Sequence, residues 1–364
     1  MSEKLTIGVI YGSDTAHLPE SGEGFAGLSL NLKGHNDVPR LIDARVADIV
    51  PLLVTPEYLS RDWRYDFGRF DVIFNSLADP DIHASSLLMV ISALAGVTTP
   101  IVNEPRHIIR TRRDIVAGML AGLDGLVVPK TVRLSDDRTP SAVVAEHGLK
   151  YPLLARSAGS HTGVGLLRLE EPSHLDAAFE RGAVTKPAYV TEFVDCRHKD
   201  GLYRKMRLVV CHDKVLMRHH LFSDEWLVHA ASQKFMESRR DLLDYEAAAA
   251  ADPLKILPPK GAELITRIKS RVGLDYFGID CAPLQDGRLA IFEVNAVMNM
   301  LPASRHPVRG PFTVAAIGQV AGHFNKLLHE RARAKATKPG SAKRPAAPGK
   351  TSKKRPAAAT SQVR

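Results

Sequence analysis

The sequence predicts an α/β fold that opens with a parallel sheet and continues into a mixed α+β part. Over the first third of its 364 residues, short β-rich runs alternate with stretches of helical periodicity. Further along, β-rich runs dominate, and two pairs of them predict hairpins. With 45% hydrophobic residues, the chain is long enough for a sizeable core and for two or three domains.

The front third is assigned to an N-terminal domain over residues 1–107. Its β-rich runs predict strands at 5–11, 70–75 and 99–103, and its other apolar stretches predict helices at 48–54 and 82–95. Strands that alternate with helices form parallel sheets covered on both faces, so we expect such a sheet here.

A central domain over 108–190 and a C-terminal domain over 191–330 are predicted to follow. Their predicted helices lie at 111–123, 172–180, 262–271 and 314–333. Their predicted strands lie at 127–134, 151–156, 165–169, 189–194, 205–212, 215–220, 278–283 and 288–294.

The positive charge of the chain is concentrated after residue 330. The formal net charge is +9, from 49 Lys and Arg against 40 Asp and Glu. Eleven of these basic residues and none of the acidic ones lie in 331–364, which leaves 38 basic against 40 acidic side chains in the rest. The near-neutral body argues against a dedicated nucleic-acid-binding protein. We predict a disordered Lys/Ala/Pro-rich tail that contacts nucleic acid or an acidic partner without sequence preference.

The cysteine count and the first residues indicate a cytoplasmic protein. Three cysteines without a CxxC pair argue against a disulfide framework and against a zinc site. The N-terminal sequence lacks the layout of a signal peptide, and no apolar run reaches the roughly 18 residues that a membrane span needs. We expect no membrane contact, and the sequence leaves a homo-oligomer open.

A glycine-containing loop at 157–163 is a candidate phosphate site. It follows the run YPLLAR, which ends in Arg156, and it contains Gly159 and Gly163. Glycine lets backbone N–H groups approach a phosphate closely, and a cation at the strand end neutralises its charge. A hairpin with an incidental arginine has the same pattern, so the loop alone leaves both interpretations open.

The segment YVTEFVD offers an acid and backbone groups to a nucleobase. It carries Glu192 followed by Phe193 and Val194 at the end of an apolar run. A half-buried edge strand has the same pattern, so this signal is weak alone.

The segment 200–222 predicts a hairpin rich in cations. Its basic residues alternate with apolar ones, which predicts that they share one face of the strands. They are Arg204, Lys205, Arg207 and Arg218. His219 and His220 lie in the same stretch, and Trp226 and His229 follow shortly after it. This crowding favours an anion-binding cleft over a solvated hairpin surface.

The sharpest signal is the segment GLDYFGIDCAPLQDGRLAIFEVN. Asp280 ends one predicted strand, a turn at 285–287 reverses the chain, and Glu293 and Asn295 lie on the returning strand. Residues two apart share a strand face, and the hairpin brings Asp280 alongside. Three oxygen donors on one face suit Mg²⁺ or Mn²⁺ bridging nucleotide phosphates. A carboxylate inside the apolar run IFEV would be costly without such a partner.

Taken in chain order, these motifs resemble the ATP-grasp superfamily of carboxylate–amine ligases. That superfamily includes glutathione synthetase, D-alanine–D-alanine ligase and the glutamate ligases that modify ribosomal protein tails. The resemblance covers residues 5–321 and is most specific at DG..FEVN with the upstream Asp280. It implies an ATP-grasp fold preceded by a pre-ATP-grasp domain, with ATP and Mg²⁺ as cofactors. It also implies an acyl phosphate made from a small-molecule or peptide carboxylate and displaced by an amine or a thiol.

The resemblance implies a role for each matching residue. Arg156 would hold the ATP phosphates together with Arg113, or with Arg112 one position earlier. The phosphate-covering loop would be Ser160, His161, Thr162 and Gly163, and the adenine-binding segment would be Glu192, Phe193 and Val194. Arg207 would handle the acyl phosphate, and both Arg207 and Arg156 would act in catalysis by neutralising charge on the transferring phosphoryl group. The metal ligands would be Asp280, Glu293 and Asn295.

Two departures from the family pattern concern the substrate end. D-alanine–D-alanine ligases often carry an arginine two residues before the metal-binding aspartate, where this chain has Gly278, and this argues against that subgroup. The Pro-Gly that often follows the metal-binding asparagine is Val297-Met298 here. The resemblance therefore implies no particular acid or amine.

Two other sequence features suggest different functions. The run GEGFAG at 22–27 matches GxGxxG, but ten residues separate it from the first strand, whereas a dinucleotide-binding fold places that loop directly after the strand. A nucleic-acid-associated protein that uses the basic tail, with a regulatory or inactive body, is the alternative function. The presence of Asp280, Glu293 and Asn295 together argues against an inactive body.

Overall fold

Three sheets organise the part of the chain that the computed structural model describes, which is residues 4–14, 33–56, 58, 64–161, 163 and 165–336. The GxGxxG motif at 22–27, Thr162 of the predicted phosphate loop and the tail beyond 336 lie outside these residues. Their predicted roles stay predictions.

The N-terminal sheet is parallel, as the sequence predicted. It consists of β1 (Leu5–Gly12), β2 (Ala47–Val54), β3 (Val72–Asn75) and β4 (Ile101–Val102), in the order β2-β1-β3-β4. Helices α1 (Ala84–Ala93) and α2 (Pro105–Ile109) belong to the same region.

One prediction for this sheet is wrong, because residues 48–54 form the edge strand β2 and not a helix. The stretch holds β-branched residues at Ile49, Val50 and Val54, which fit a pleated surface. Pro51 lacks an N–H group, which disfavours a helix interior but is tolerated on an edge strand.

The central sheet is antiparallel and has an apolar core of its own. Its strands are β6 (Thr131–Leu134), β7 (Leu153–Ser157), β8 (Leu167–Leu169) and β9 (Ala188–Glu192), in the order β6-β9-β7-β8. Helices α4 (Pro140–Glu146) and α5 (Pro172–Glu180) pack against one another beside it. The core residues of this part all lie between 132 and 190.

The C-terminal sheet holds the predicted metal hairpin at its centre. Its strands are β5 (Leu126–Val127), β10 (Tyr203–Cys211), β11 (Lys214–Ser223), β12 (Tyr276–Pro283) and β13 (Leu289–Asn295), in the order β11-β10-β12-β13-β5. The predicted strand at 127–134 is thus two strands in different sheets. Pro129 separates them, because it cannot donate to a ladder. The boundaries proposed from the sequence between the first three domains stay predictions.

Five more α-helices occur in the described part of the chain, and the last of them contacts both the C-terminal and the N-terminal sheets. They are α3 (Arg113–Leu120), α6 (Ser232–Glu237), α7 (Arg240–Ala251), α8 (Gly261–Val272) and α9 (Arg309–Ala336). Helix α9 packs on the N-terminal sheet, where the Phe324 ring meets the Phe74 ring edge-on at 5.1 Å. One large core cluster contains residues of both sheets, so these two parts share their packing.

The predicted start of the tail at residue 331 is too early. Helix α9 continues to Ala336, Arg331 forms an ion pair with Asp275, and the Lys335 ammonium donates to the carbonyl oxygen of Phe70 at 2.6 Å. These contacts dock the last turns of α9 on the body. None of the helices in the described part of the chain is both long and apolar enough to cross a membrane.

Candidate active site

The β12–β13 hairpin brings the predicted metal ligands together. Asp280 stands opposite Glu293 in the antiparallel ladder, and Asn295 stands opposite Gly278. Side chains of directly opposed residues share a sheet face, and residues 278 and 280 share theirs because they are two apart. Asp280, Glu293 and Asn295 therefore project from one face, as the sequence predicted.

Asp280 is buried and paired with two cations. Arg207 forms a bidentate pair with it, with Nε–Oδ1 and Nη2–Oδ2 distances of 2.5 and 2.7 Å, and the Lys205 ammonium lies 2.9 Å from Oδ2. Burial by itself would raise the pKa of Asp280, but the two cations outweigh it and hold that pKa well below its ordinary value. Asp280 is therefore ionised at neutral pH.

The prediction that four hairpin cations share one face is wrong. Lys205 and Arg207 are two apart and both reach Asp280, whereas Arg204 is adjacent to Lys205 and lies over the Phe222 ring. Arg218 neighbours His219, which is the ladder partner of Arg207, and it donates to the carbonyl oxygen of Pro302. Only two of the four cations therefore converge on Asp280.

Glu293 has its own arginine. The Arg113 Nη2 lies 2.7 Å from Glu293 Oε1, and both side chains are less than one-fifth exposed. Burial would raise the pKa of Glu293, but Arg113, with Arg156 and Arg207, lowers it. Arg112 instead pairs with Asp114 at 2.6 Å. Of the two candidates, it is thus Arg113 that contacts the predicted metal site.

Arg156 is the penultimate residue of β7 and holds the loop that follows. Its Nε donates to Ser160 Oγ at 3.0 Å, and its Nη2 donates to the Ser160 carbonyl oxygen. Burial, together with the positive charge of Arg113, lowers the pKa of Arg156 to about 10. Gly159 and Gly163 have positive φ angles of 67° and 78°, which only glycine adopts without strain.

One cleft collects most of the predicted nucleotide residues. It lies between the central and the C-terminal sheets, with Arg156 and Gly163 on one side and Asp280 and Glu293 on the other. The predicted adenine segment also lines it, namely Glu192, Phe193 and Val194. Glu192 accepts a hydrogen bond from the Lys150 N–H at 2.9 Å. The cleft is further lined by Tyr203, Lys205, Trp226 and His229.

A second, narrower cleft opens on the other side of Glu293, facing the N-terminal domain. It is lined by Arg113, Ser160, His161, Glu293 and Asn295 from the predicted site, and by Asp79 and Asp81 from the segment after β3. The His161 Nε2 lies 2.6 Å from Asp79 Oδ2. The segment after β3 therefore contributes two carboxylates beside the predicted phosphate loop.

The sequence analysis named Lys205 only as one of four hairpin cations, without a specific role, and it missed Asp79 as a site residue. Lys205 has a detectable signal, because it is two residues from Arg207 and therefore shares its strand face. The only signal for Asp79 is its position after the carboxyl end of a parallel strand, where ligand-binding residues are often found. Its partner His161 is 82 residues away in sequence, and no local pattern connects the two.

The donor set fits a hard divalent cation. The Asn295 Oδ1 is buried and has no hydrogen-bond partner among the described residues. Such an oxygen beside two ionised carboxylates has the chemistry that Mg²⁺ takes from proteins. The set contains only two acids, and no cluster of three or more His, Cys, Asp or Glu side chains capable of holding a metal occurs in the described part of the chain.

The overall architecture has counterparts among solved structures. No protein-family model and no curated protein sequence matches the chain. The D-Ala:D-Ser ligase VanG from Enterococcus faecalis aligns with a TM-score of 0.54 and 16% identity over 90% of this chain and 100% of its own. The D-alanine–D-alanine ligase from Coxiella burnetii aligns with a TM-score of 0.55 and 12% identity over 92% and 97%.

A third structure is the D-alanine–D-alanine ligase from Bacillus anthracis complexed with ATP. It aligns with a TM-score of 0.52 and 13% identity, over 92% of this chain and 100% of its own. At such identities the likeness establishes the fold and not the substrate. The chain has the ATP-grasp fold, with the parallel N-terminal sheet before it, as the sequence resemblance implied.

Proposed function

We propose that this ATP-grasp protein is an ATP-dependent ligase that joins a carboxylate to an amine or a thiol. The observation that carries the proposal is the pair Asp280 and Glu293, which face each other across a hairpin and are each neutralised by an arginine. Burying a charged group costs free energy unless the group is paired. Carboxylates that lie in a cleft and have shifted pKa values are candidate functional residues. The ATP-complexed structural neighbour supports the same proposal.

Asp280, Glu293 and Asn295 would hold Mg²⁺ or Mn²⁺. When bound, the metal would neutralise charge on the nucleotide phosphates. The arginines of the cleft would neutralise phosphate charge together with the metal. Because Arg113 and Arg156 line the same cleft as both carboxylates, they are placed to receive phosphate oxygens when the carboxylates turn to a metal.

The chain's own residues would assist each half of the reaction. In the first half, a substrate carboxylate oxygen attacks the γ-phosphorus of ATP and ADP leaves, which gives an acyl phosphate. In the second, the amine or thiol attacks the carbonyl carbon and inorganic phosphate leaves. Arg207 and Arg156 would stabilise the charge of the transferring group, and the loop 157–163 would exclude the water that hydrolyses an acyl phosphate.

Phe193 and Trp226 suit the nucleoside end of the main cleft. Their rings meet edge-on at 6.0 Å, and the Arg168 guanidinium lies 4.3 Å from the centroid of the Phe193 ring. Glu192 and Val194 line the same wall. An adenine would stack on such an aromatic surface and take hydrogen bonds from the adjacent strand end.

The proposal is tested by supplying ATP, Mg²⁺ and pairs of acids and amines, and measuring products by mass spectrometry. A ligase forms ADP, phosphate and a condensed product in equal amounts. A matched reaction without Mg²⁺ should form none. ATP consumption that never depends on an acid, or no ATP binding at all, would contradict the proposal.

A further inference from the structure

The segment 79–82 of the N-terminal domain contacts the central sheet at three points. Asp79 pairs with His161 on the loop after β7. Asp81 accepts hydrogen bonds from Tyr189 Oη at 2.7 and 2.9 Å and from Arg133 Nη2 at 3.0 Å. Ile82 lies against Gly159, where a Cβ would meet its Cγ1 at 3.2 Å.

These contacts join parts that do not share a core. The apolar cluster of the central sheet is separate from the cluster that spans the N- and C-terminal sheets. Two of the three contacts are polar, so breaking them would expose little apolar surface. Such an interface is suited to opening and closing, whereas a shared core is not.

The two oxygens of Asp79 have different tasks. Oδ1 accepts from the backbone N–H groups of Asp81 and Ile82, at 2.8 and 3.3 Å, and so builds its own turn. Oδ2 faces His161 at 2.6 Å. The Asp79 side chain is only 5% exposed, and although burial would raise its pKa, its hydrogen bonds and the nearby His161 lower it. The carboxylate is therefore ionised where it meets the loop.

We propose that Asp79 is a positioning residue of the nucleotide site, which holds the loop residues 157–161 closed over bound phosphates through His161. This inference rests on the proposed function. His161, Ser160 and Gly159 line the narrow cleft beside Glu293 and Asn295, so a loop held there covers the predicted phosphate end. The N-terminal domain would then set how firmly nucleotide is retained.

The test uses the full chain, Mg²⁺ and the fluorescent nucleotide mant-ATP. Asp79→Asn keeps the oxygen that builds the turn and replaces the one that faces His161. We expect it to raise the Kd for mant-ATP about tenfold, mainly through faster dissociation. His161→Ala should do the same, and the double variant should be no weaker than the weaker single variant. Adenosine, measured by competition, should bind all variants alike because it has no phosphates.

Asp136→Asn is the matched control, since it removes a carboxylate from an exposed ion pair of the central part and should change nothing. Unchanged mant-ATP affinity in Asp79→Asn, additive effects in the double variant, or equal loss of adenosine affinity would overturn the inference alone. A wild-type chain that binds no mant-ATP would overturn the proposed function as well.

Discussion

The thioether of Met298 occupies the space in front of Gly278. A Cβ added to Gly278 would lie 2.6 Å from Met298 Sδ, closer than side chains tolerate. Gly278 and Met298 belong to the two departures from the ATP-grasp sequence pattern described above. Because the two residues are in contact, the two departures depend on each other. An arginine side chain at position 278 would overlap with Met298, which is fully buried beside it.

We expect Gly278→Ala to lower the free energy of unfolding by about 1–2 kcal/mol, because Met298 must move within a close-packed core. Met298→Ala combined with Gly278→Ala should cost less than the sum of the two single changes. Urea unfolding measures all three. Gly118→Ala is the control, since no atom lies within 4 Å of the added Cβ; a larger loss there than at 278 would contradict the packing argument.

Glu293→Gln keeps the shape of the predicted metal site but removes one charge. We expect the rate of Mg²⁺-dependent ADP formation to fall at least about 100-fold, and the melting temperature to fall as well because Arg113 loses its buried partner, although the protein should still fold. Asp286→Asn, in the exposed turn of the same hairpin, serves as control and should keep full activity. Parent-like turnover in Glu293→Gln would remove Glu293 from the metal site.

Arg156 should contribute to ATP affinity more than to adenosine affinity. Arg156→Ala should raise the Kd for ATP about 10- to 100-fold, because a charge-assisted contact with a phosphate is lost. Arg156→Lys should lose less, since the charge remains although the planar, two-pronged donor does not. Calorimetry with ATP and with adenosine decides this. Equal ATP affinity in the parent and in Arg156→Ala would exclude a phosphate contact.

The hairpin could be predicted from sequence because its register follows from local pattern. The turn at 285–287 and the alternation around Glu293 fix which residues oppose Asp280, and the structure has them so. The sequence could not distinguish the strand β2 from a helix, since the seven residues 48–54 around Pro51 show no clear hydrophobic periodicity. The Asp79–His161 pair could not be predicted from the sequence, because it depends on how two separate sheets pack against each other.

Asp280 should make stability depend on pH in a predictable direction. Its pKa is lowered in the folded state, so its stabilising effect is complete above the unfolded value of about 3.9 and is lost as the pH falls further. Asp280→Asn should cost about 3 kcal/mol at pH 7, since Arg207 and Lys205 lose their partner. Urea unfolding at pH 7 and pH 3 should show a smaller difference at the lower pH. An equal difference at both would contradict the ionised pair.

The chain beyond α9 should be dispensable for catalysis. A chain ending at Ala336 should keep the ATP-dependent activity and the melting temperature of the full chain. It should also lose any weak, salt-sensitive binding to DNA or acidic protein. A chain ending at Glu330 should be less stable, because it lacks the Arg331–Asp275 pair and the Lys335 contacts. Loss of activity on ending at Ala336 would place the tail in the active site.

The docking of α9 on the N-terminal sheet has a consequence for biosynthesis. Phe74 leaves the ribosome 250 residues before Phe324, the ring that packs against it. The first sheet can pair its strands early, but one of its faces stays uncovered until translation has passed α9. A nascent chain therefore carries an open apolar face for most of its synthesis, which is the period when chaperones bind and when aggregation competes with folding. Variants that weaken α9 should reduce the yield of folded protein before they change the activity of the molecules that do fold.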